Sequence, residues 1–214
     1  MSQYARLPIP ELLRDSLTLY TNAGADPEIA EALADPYQYG PEDYAAGLAL
    51  RQAVIDASGK KGAEAADSRK ATGQAQDAAA TLRKRFGRHR DRLRTVHKSG
   101  SDGYSALKLS GRVPGDREQM VEAARHLYAT LEGRPELAEK VRGLTPAVVA
   151  ESQALVLASQ GAATTQDREQ GEAKTASNTY KDAVADLRDH AGEMAGVAED
   201  ALSDRPDLLA KLGL

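Results

Sequence analysis

The feature that most constrains this chain is that it repeats itself. A long stretch from Pro41 to His97 returns, altered, from Pro146 to Leu202, and the segments ahead of it return as well. Leu19-Tyr20 matches Leu127-Tyr128, and Pro27-Glu28-Ile29-Ala30-Glu31 matches Pro135-Glu136-Leu137-Ala138-Glu139, both at an offset of 108. After a three-residue deletion the offset becomes 105: Pro41 matches Pro146, and Asp77-Ala78, Leu82-Arg83 and Gly87 match Asp182-Ala183, Leu187-Arg188 and Gly192. Self-similarity at this period means a duplicated subdomain, because solenoid units run to only about 20–50 residues.

Each copy reads as helical. Pro8 and Pro10 precede the periodic apolar run Leu12, Leu13, Leu17, Tyr20, which predicts a first helix over about 10–21, ended by Asn22 and Gly24. Asp26 is placed to cap a short helix through Ile29 and Leu33. Gly40-Pro41-Glu42-Asp43 is a strong start, with two carboxylates at the positive end of the helix dipole, followed by Tyr44, Leu48 and Ile55 with Leu50 and Val54 beside them. The pattern fades between Ser58 and Gly73 and returns with Ala75, Ala78, Ala79, Leu82, Phe86, Leu93 and Val96. An unbroken helix over the whole stretch would be about 85 Å long, so a reversal is expected within 58–73, and in the second copy within 161–177. Ser99-Gly100 ends the stretch, Ser101-Asp102 opens a helical turn, and Gly111 to Gly115 form a linker. With aromatic residues at 4%, no Trp and one Phe, the core must be mostly Leu, Val, Ile and Ala, which suits closely packed helices. The expected fold is all-α: two tandem helical-hairpin repeats, about 8–110 and 114–214, packed as one pseudo-two-fold four-helix bundle with short capping helices. Two lobes joined at Gly111 to Gly115 are the alternative.

Three motifs carry a resemblance. The Pro-Glu-Leu-Ala cap at 135–138, the openings Tyr39-Gly40-Pro41-Glu42 and Leu144-Thr145-Pro146, and the closing run from Arg205-Pro206-Asp207-Leu208-Leu209 to Leu214 resemble those of uncharacterised bacterial duplicated helical-bundle proteins. The resemblance implies a fold and no activity. The first copy departs from it at Ser105 to Ser110, where the closing Pro-x-Leu-Leu is degraded.

The chemistry the sequence excludes is broad. Without Cys there is no thiolate nucleophile or thiolate metal site, and there is no Gly-x-Ser-x-Gly elbow or phosphate-binding glycine motif. A di-iron bundle needs paired Glu-x-x-His motifs, and neither copy has them. His89 falls within the apolar arc and reads as a hydrogen-bonded core histidine, while Glu122/His126 and Asp186/His190 read as helix-surface pairs. Gly59-Lys60-Lys61-Gly62 has the form of a Gly-x-x-Gly backbone clamp but reads as a flexible spot at the hairpin tip. Tyr20 and Tyr128, at matched positions, read as packing anchors with a hydroxyl at the surface. No enzyme and no cofactor are expected. The start of the chain lacks a secretory pattern and no stretch is apolar enough for a membrane span, so a cytoplasmic protein is expected.

One charge asymmetry stands out. The window from Arg83 to Lys98 holds eight basic residues and one acid, a net of +7, whereas the matched window from Arg188 to Ser203 has a net of −3. The whole chain is at −4, so any attraction to polyanions must be local. The candidate binding surface is Arg83, Lys84, Arg85, Arg88, Arg90, Arg92 and Arg94, on the arc opposite Leu82, Phe86 and Leu93. The plainer reading is a face answered by acids such as Asp182, Asp186, Asp189 and Glu193. The leading function is a non-enzymatic interaction module that self-associates or binds another protein. The alternative is a phosphate- or nucleic-acid-binding protein using this basic face, although only Phe86 is available for base stacking.

Overall fold

A computed structural model describes residues 3–214; Met1 and Ser2, part of the N-terminus read above for a leader, lie outside the described residues. All regular structure in the described residues is helical. After a 3₁₀ turn at Gln3–Arg6 come α1 (Ile9–Ala25), α2 (Pro27–Ala34), α3 (Pro41–Val96), α4 (Asp102–Ala106), α5 (Arg117–Gly133), α6 (Glu136–Glu139), α7 (Pro146–Ala201) and α8 (Pro206–Leu212).

The expected hairpin turns do not exist. Both α3 and α7 are single helices of 56 residues that run through 58–73 and 161–177. The chain has no proline between Pro41 and Pro114 or between Pro146 and Pro206, so nothing sterically ends either helix. Gly59, Gly62 and Gly73 each cost about 1 kcal/mol relative to Ala, which the surrounding Ala, Lys, Glu and Gln offset. The seam also persists. Residues shielded from solvent recur at three- and four-residue steps through Val54, Ala57, Lys61, Glu64, Ser68, Ala71 and Ala75 to Leu82. This is the spacing of a coiled-coil stripe, filled in its middle by small and polar side chains. Gly59-Lys60-Lys61-Gly62 is therefore helix interior, and Lys61 Nζ sits 4.4 Å from the Tyr180 ring centre.

The residues form two compact units, and neither unit is a repeat. The first comprises the chain up to Ala65 together with Glu172–Leu214, and the second is Ala66–Gly171. The linker at Gly111 to Gly115 thus lies inside the second unit. No helix among the described residues is long and apolar enough to cross a membrane.

In the first unit, α1 and α2 bury Leu12, Leu19, Tyr20, Ile29 and Leu33 against Tyr44 and Val54 of α3, Val184, Leu187, Ala191, Met194 and Ala198 of α7, and Leu208 and Leu212 of α8. The α3 stripe is Tyr44 and Val54, with Leu48 and Ile55 left 37% and 38% exposed beside it. Gly47 completes that stripe. A Cβ there would lie 2.3 Å from the Tyr20 ring, so only glycine admits the tyrosine. The Tyr20 hydroxyl is 2.9 Å from His190 Nδ1, with the rings edge-on. The first helix runs four residues past Thr21, because Asn22 Nδ2 donates to the Lys211 carbonyl and Gly24 packs under Tyr44. Asp26 caps α2 as expected, accepting from the Glu28 amide at 3.1 Å, and also pairs with Lys211 at 2.6 Å.

In the second unit, α5 and α6 bury Met120, Ala124, Leu127, Tyr128, Leu131 and Leu137 against Leu82, Phe86 and Leu93 of α3 and Val149 and Val156 of α7. Leu107 and Leu109 close it, so the degraded segment 105–110 still supplies two core residues. Ser101 caps α4 by accepting from the Tyr104 amide at 3.2 Å. Tyr128 is fully buried, and its hydroxyl lies 3.1 Å from His89 Nδ1. In both units the tyrosine hydroxyl is thus bonded to a histidine in the interior and not at the surface, because an unpaired buried hydroxyl costs about 1–3 kcal/mol.

Candidate binding surface

The seven basic residues on the C-terminal half of α3 do not form one face. With the core at Leu82, Phe86 and Leu93, 100° per residue places Arg83, Arg90 and Arg94 on one flank and Lys84, Arg85, Arg88 and Arg92 on the other. The first flank meets the linker. Arg90 is 4% exposed, and its guanidinium donates to the carbonyls of Leu109, at 3.1 Å, and Ser110. Arg94 donates to Leu109, at 2.7 Å, and to Gly111, while Arg83 reaches the Gly115 carbonyl at 2.7 Å. A segment with no regular structure leaves its carbonyls without ladder partners, and the five-donor guanidinium fork satisfies several at once. Burial pushes the Arg90 pKa down, as does the neighbouring Arg94. Arg83, Arg90 and Arg94 are therefore structural, and leave the candidate surface.

The second flank is open. Lys84, Arg88 and Arg92 are exposed and have no ion pair among the described residues. Arg85 is half-buried and pairs with Glu151 of α7 at 3.2 Å. Together with Thr81, His89 and Val148 these residues line a basin of about 500 Å³. The Arg92 guanidinium lies against Gly143, where an added Cβ would be 3.5 Å from Nη1. At the floor of the basin is His89, 7% exposed, whose pKa is lowered by burial and then by the charges of Arg85 and Arg92. Burial pushes its partner Tyr128 up to about 12, opposed by a hydrogen bond from Ser152 and by the Arg85 charge. Both are neutral at pH 7, so the basin presents cations above a neutral, apolar-backed floor. Phe86 is 2% exposed and gives no stacking platform.

The acids proposed to answer this face do not pair with it among the described residues. Asp182, Asp186, Asp189 and Glu193 are all exposed and take part in no ion pair among the described residues. His190, read as a partner of Asp186, is instead engaged by Tyr20. His126 donates from Nε2 to the Ala106 carbonyl at 3.0 Å, and His97 from Nε2 to the Leu137 carbonyl at 2.9 Å, so both do structural work.

A second hollow of about 480 Å³ in the same unit is lined by Leu131, Pro135, Val141, Leu144 and Val149, with Gln153 donating to Glu132 at its rim. Sequence reasoning missed Glu151 and Val148 in the basic basin, because they come from α7 and nothing local marks them.

Fold and site define an all-helical protein with an open row of cations on α3. No family model matches the chain, and no curated protein or solved structure matches it either.

Proposed function

We propose that the chain is a non-enzymatic, duplicated helical interaction module, and that it binds a protein partner bearing carboxylates through Lys84, Arg88 and Arg92. The observation that carries this is that three adjacent-turn cations stay without an ion pair among the described residues beside a formed basin, while Arg83, Arg90 and Arg94 of the same helix are bound to carbonyls and Arg85 to Glu151. Long-range attraction from such a row sets encounter rate and specificity.

The duplication, with a pseudo-two-fold relation between copies, belongs to the same proposal. Two pairs of contacts and one matched pair of small residues support it. Arg83 bonds the carbonyl of Gly115 and Arg188 bonds that of Leu7, and these are matched residues at both ends. Tyr20 and Tyr128 each meet a histidine from the other copy's long helix. Gly47 and Ser152, also matched, are both small and fully sheltered.

Binding of a fluorescent glutamate-rich peptide, followed by anisotropy, tests the reading. The parent should bind it, and Lys84→Glu/Arg88→Glu/Arg92→Glu should bind at least tenfold more weakly. No preference over an uncharged peptide, or equal binding by the variant, would overturn it. The same cations fit phosphates, and tighter binding of a single-stranded oligonucleotide at physiological salt would favour that reading instead.

A further inference from the structure

We infer that the acidic partner of the basic row is a second copy of this chain, which docks by the acidic row Asp182, Asp186, Asp189 and Glu193 on the C-terminal half of α7. The inference rests on the reading of Lys84, Arg88 and Arg92 as a binding surface and names what fills it. Both rows are exposed and unpaired among the described residues. At 100° per residue the four carboxylates fall within about 60°, and the three cations within about 80°. Each set is therefore one straight row and not a scattered surface. At 1.5 Å per residue the basic row runs about 12 Å and the acidic row about 17 Å, so one acidic row spans all three cations. At the offset of 105 Lys84 matches Asp189 and Arg88 matches Glu193. The two copies thus carry opposite charges at the same places on the same element. An acidic row laid along the basic row sets carboxylates against cations on successive turns, since both recur every three or four residues. Asp91 flanks the basic row and Glu151 is held by Arg85, so neither neutralises it. Like rows repel, so the docking sets the basic row of one copy against the acidic row of the other.

The test is sedimentation velocity on the full chain and on two charge-reversed variants. The first is Lys84→Glu/Arg88→Glu/Arg92→Glu, and the second is Asp182→Lys/Asp186→Lys/Asp189→Lys/Glu193→Lys. All seven positions are exposed, and circular dichroism checks that each variant keeps its helices. The parent should associate with rising concentration, and its affinity should fall at least tenfold between about 0.05 M and 0.5 M salt as the screening length shortens. Each variant alone should stay monomeric, and an equimolar mixture of the two should associate again, since one then carries only acids and the other only bases. A parent that is monomeric throughout, variants that associate like the parent, or a mixture that stays monomeric would each overturn the inference. If the parent binds the glutamate-rich peptide but not itself, the binding surface stands and the choice of partner fails; if it binds neither, the surface fails too.

Discussion

Gly47→Ala is the sharpest single test of the packing in the first unit, because its sign is fixed by geometry. In a helix interior the change gains about 1 kcal/mol of propensity. Against that, the new methyl carbon would lie 2.3 Å from two carbons of the Tyr20 ring and 2.6 Å from a third. Ordinary carbon contact is about 3.5 Å, so the ring must retreat by roughly 1.2 Å. Tyr20 has nowhere to go: it is 1% exposed, and its hydroxyl is held at 2.9 Å by His190. Overpacking of this kind costs about 1–3 kcal/mol, and rupture of the hydroxyl bond about 1 kcal/mol more. A net loss of about 1–3 kcal/mol follows from setting these costs against the propensity gain. Gly59→Ala is the control, since nothing lies within 4 Å of its added carbon; it should gain about 0.5–1 kcal/mol. Equilibrium denaturation followed by circular dichroism at 222 nm reads both. Tyr20→Leu should also cost less in the Gly47→Ala background than in the parent, by about 1 kcal/mol or more. If Gly47→Ala stabilises as Gly59→Ala does, or if the two changes simply add, the tyrosine is not wedged against the helix.

Two further outcomes follow from the same contacts. Gly62→Pro should cost about 3 kcal/mol, since it removes a ladder bond inside α3 and clashes with the turn before it; an unchanged denaturation midpoint would mean that the chain does turn near there. His89 has a depressed pKa in the folded chain, so below its ordinary value of 6.5 the unfolded chain takes up a proton that the folded chain refuses. Stability should be full above that pH, fall as pH drops below it, and level off below the folded pKa. His89→Gln should flatten this part of the curve, and denaturation midpoints of the variant that fall as steeply as the parent's between about pH 7 and pH 5 would remove His89 as the cause.

How much could be read from the chain alone depended on what fills each seam. At the helix ends the stripe is Leu82, Phe86 and Leu93, and periodicity finds it. In the middle it is Ala57, Lys61, Glu64 and Ser68, which hydropathy reads as surface, so a turn was expected where the helix continues. Caps such as Asp26 and Ser101 were legible because they depend on local backbone alone. The basic run was legible as a helix face, but a helical wheel says nothing of which flank a distant loop will cover, and the carbonyls of Leu109 and Gly111 claimed Arg90 and Arg94. The tyrosine–histidine pairs join residues far apart in sequence, and no local pattern announces them.

The division of the first unit into two separated stretches of chain also sets an order of events during synthesis. The second unit is one contiguous stretch, Ala66–Gly171, and can close as soon as that stretch has emerged. The first unit cannot: Tyr20 waits for His190, the Leu7 carbonyl for Arg188, and Asp26 for Lys211. Until then Leu12, Leu19, Ile29 and Leu33 lack the α7 and α8 side of their core, Val184, Leu187, Met194, Leu208 and Leu212. Contacts of such long sequence separation form slowly, so α1 and α2 are made well before the residues that secure them.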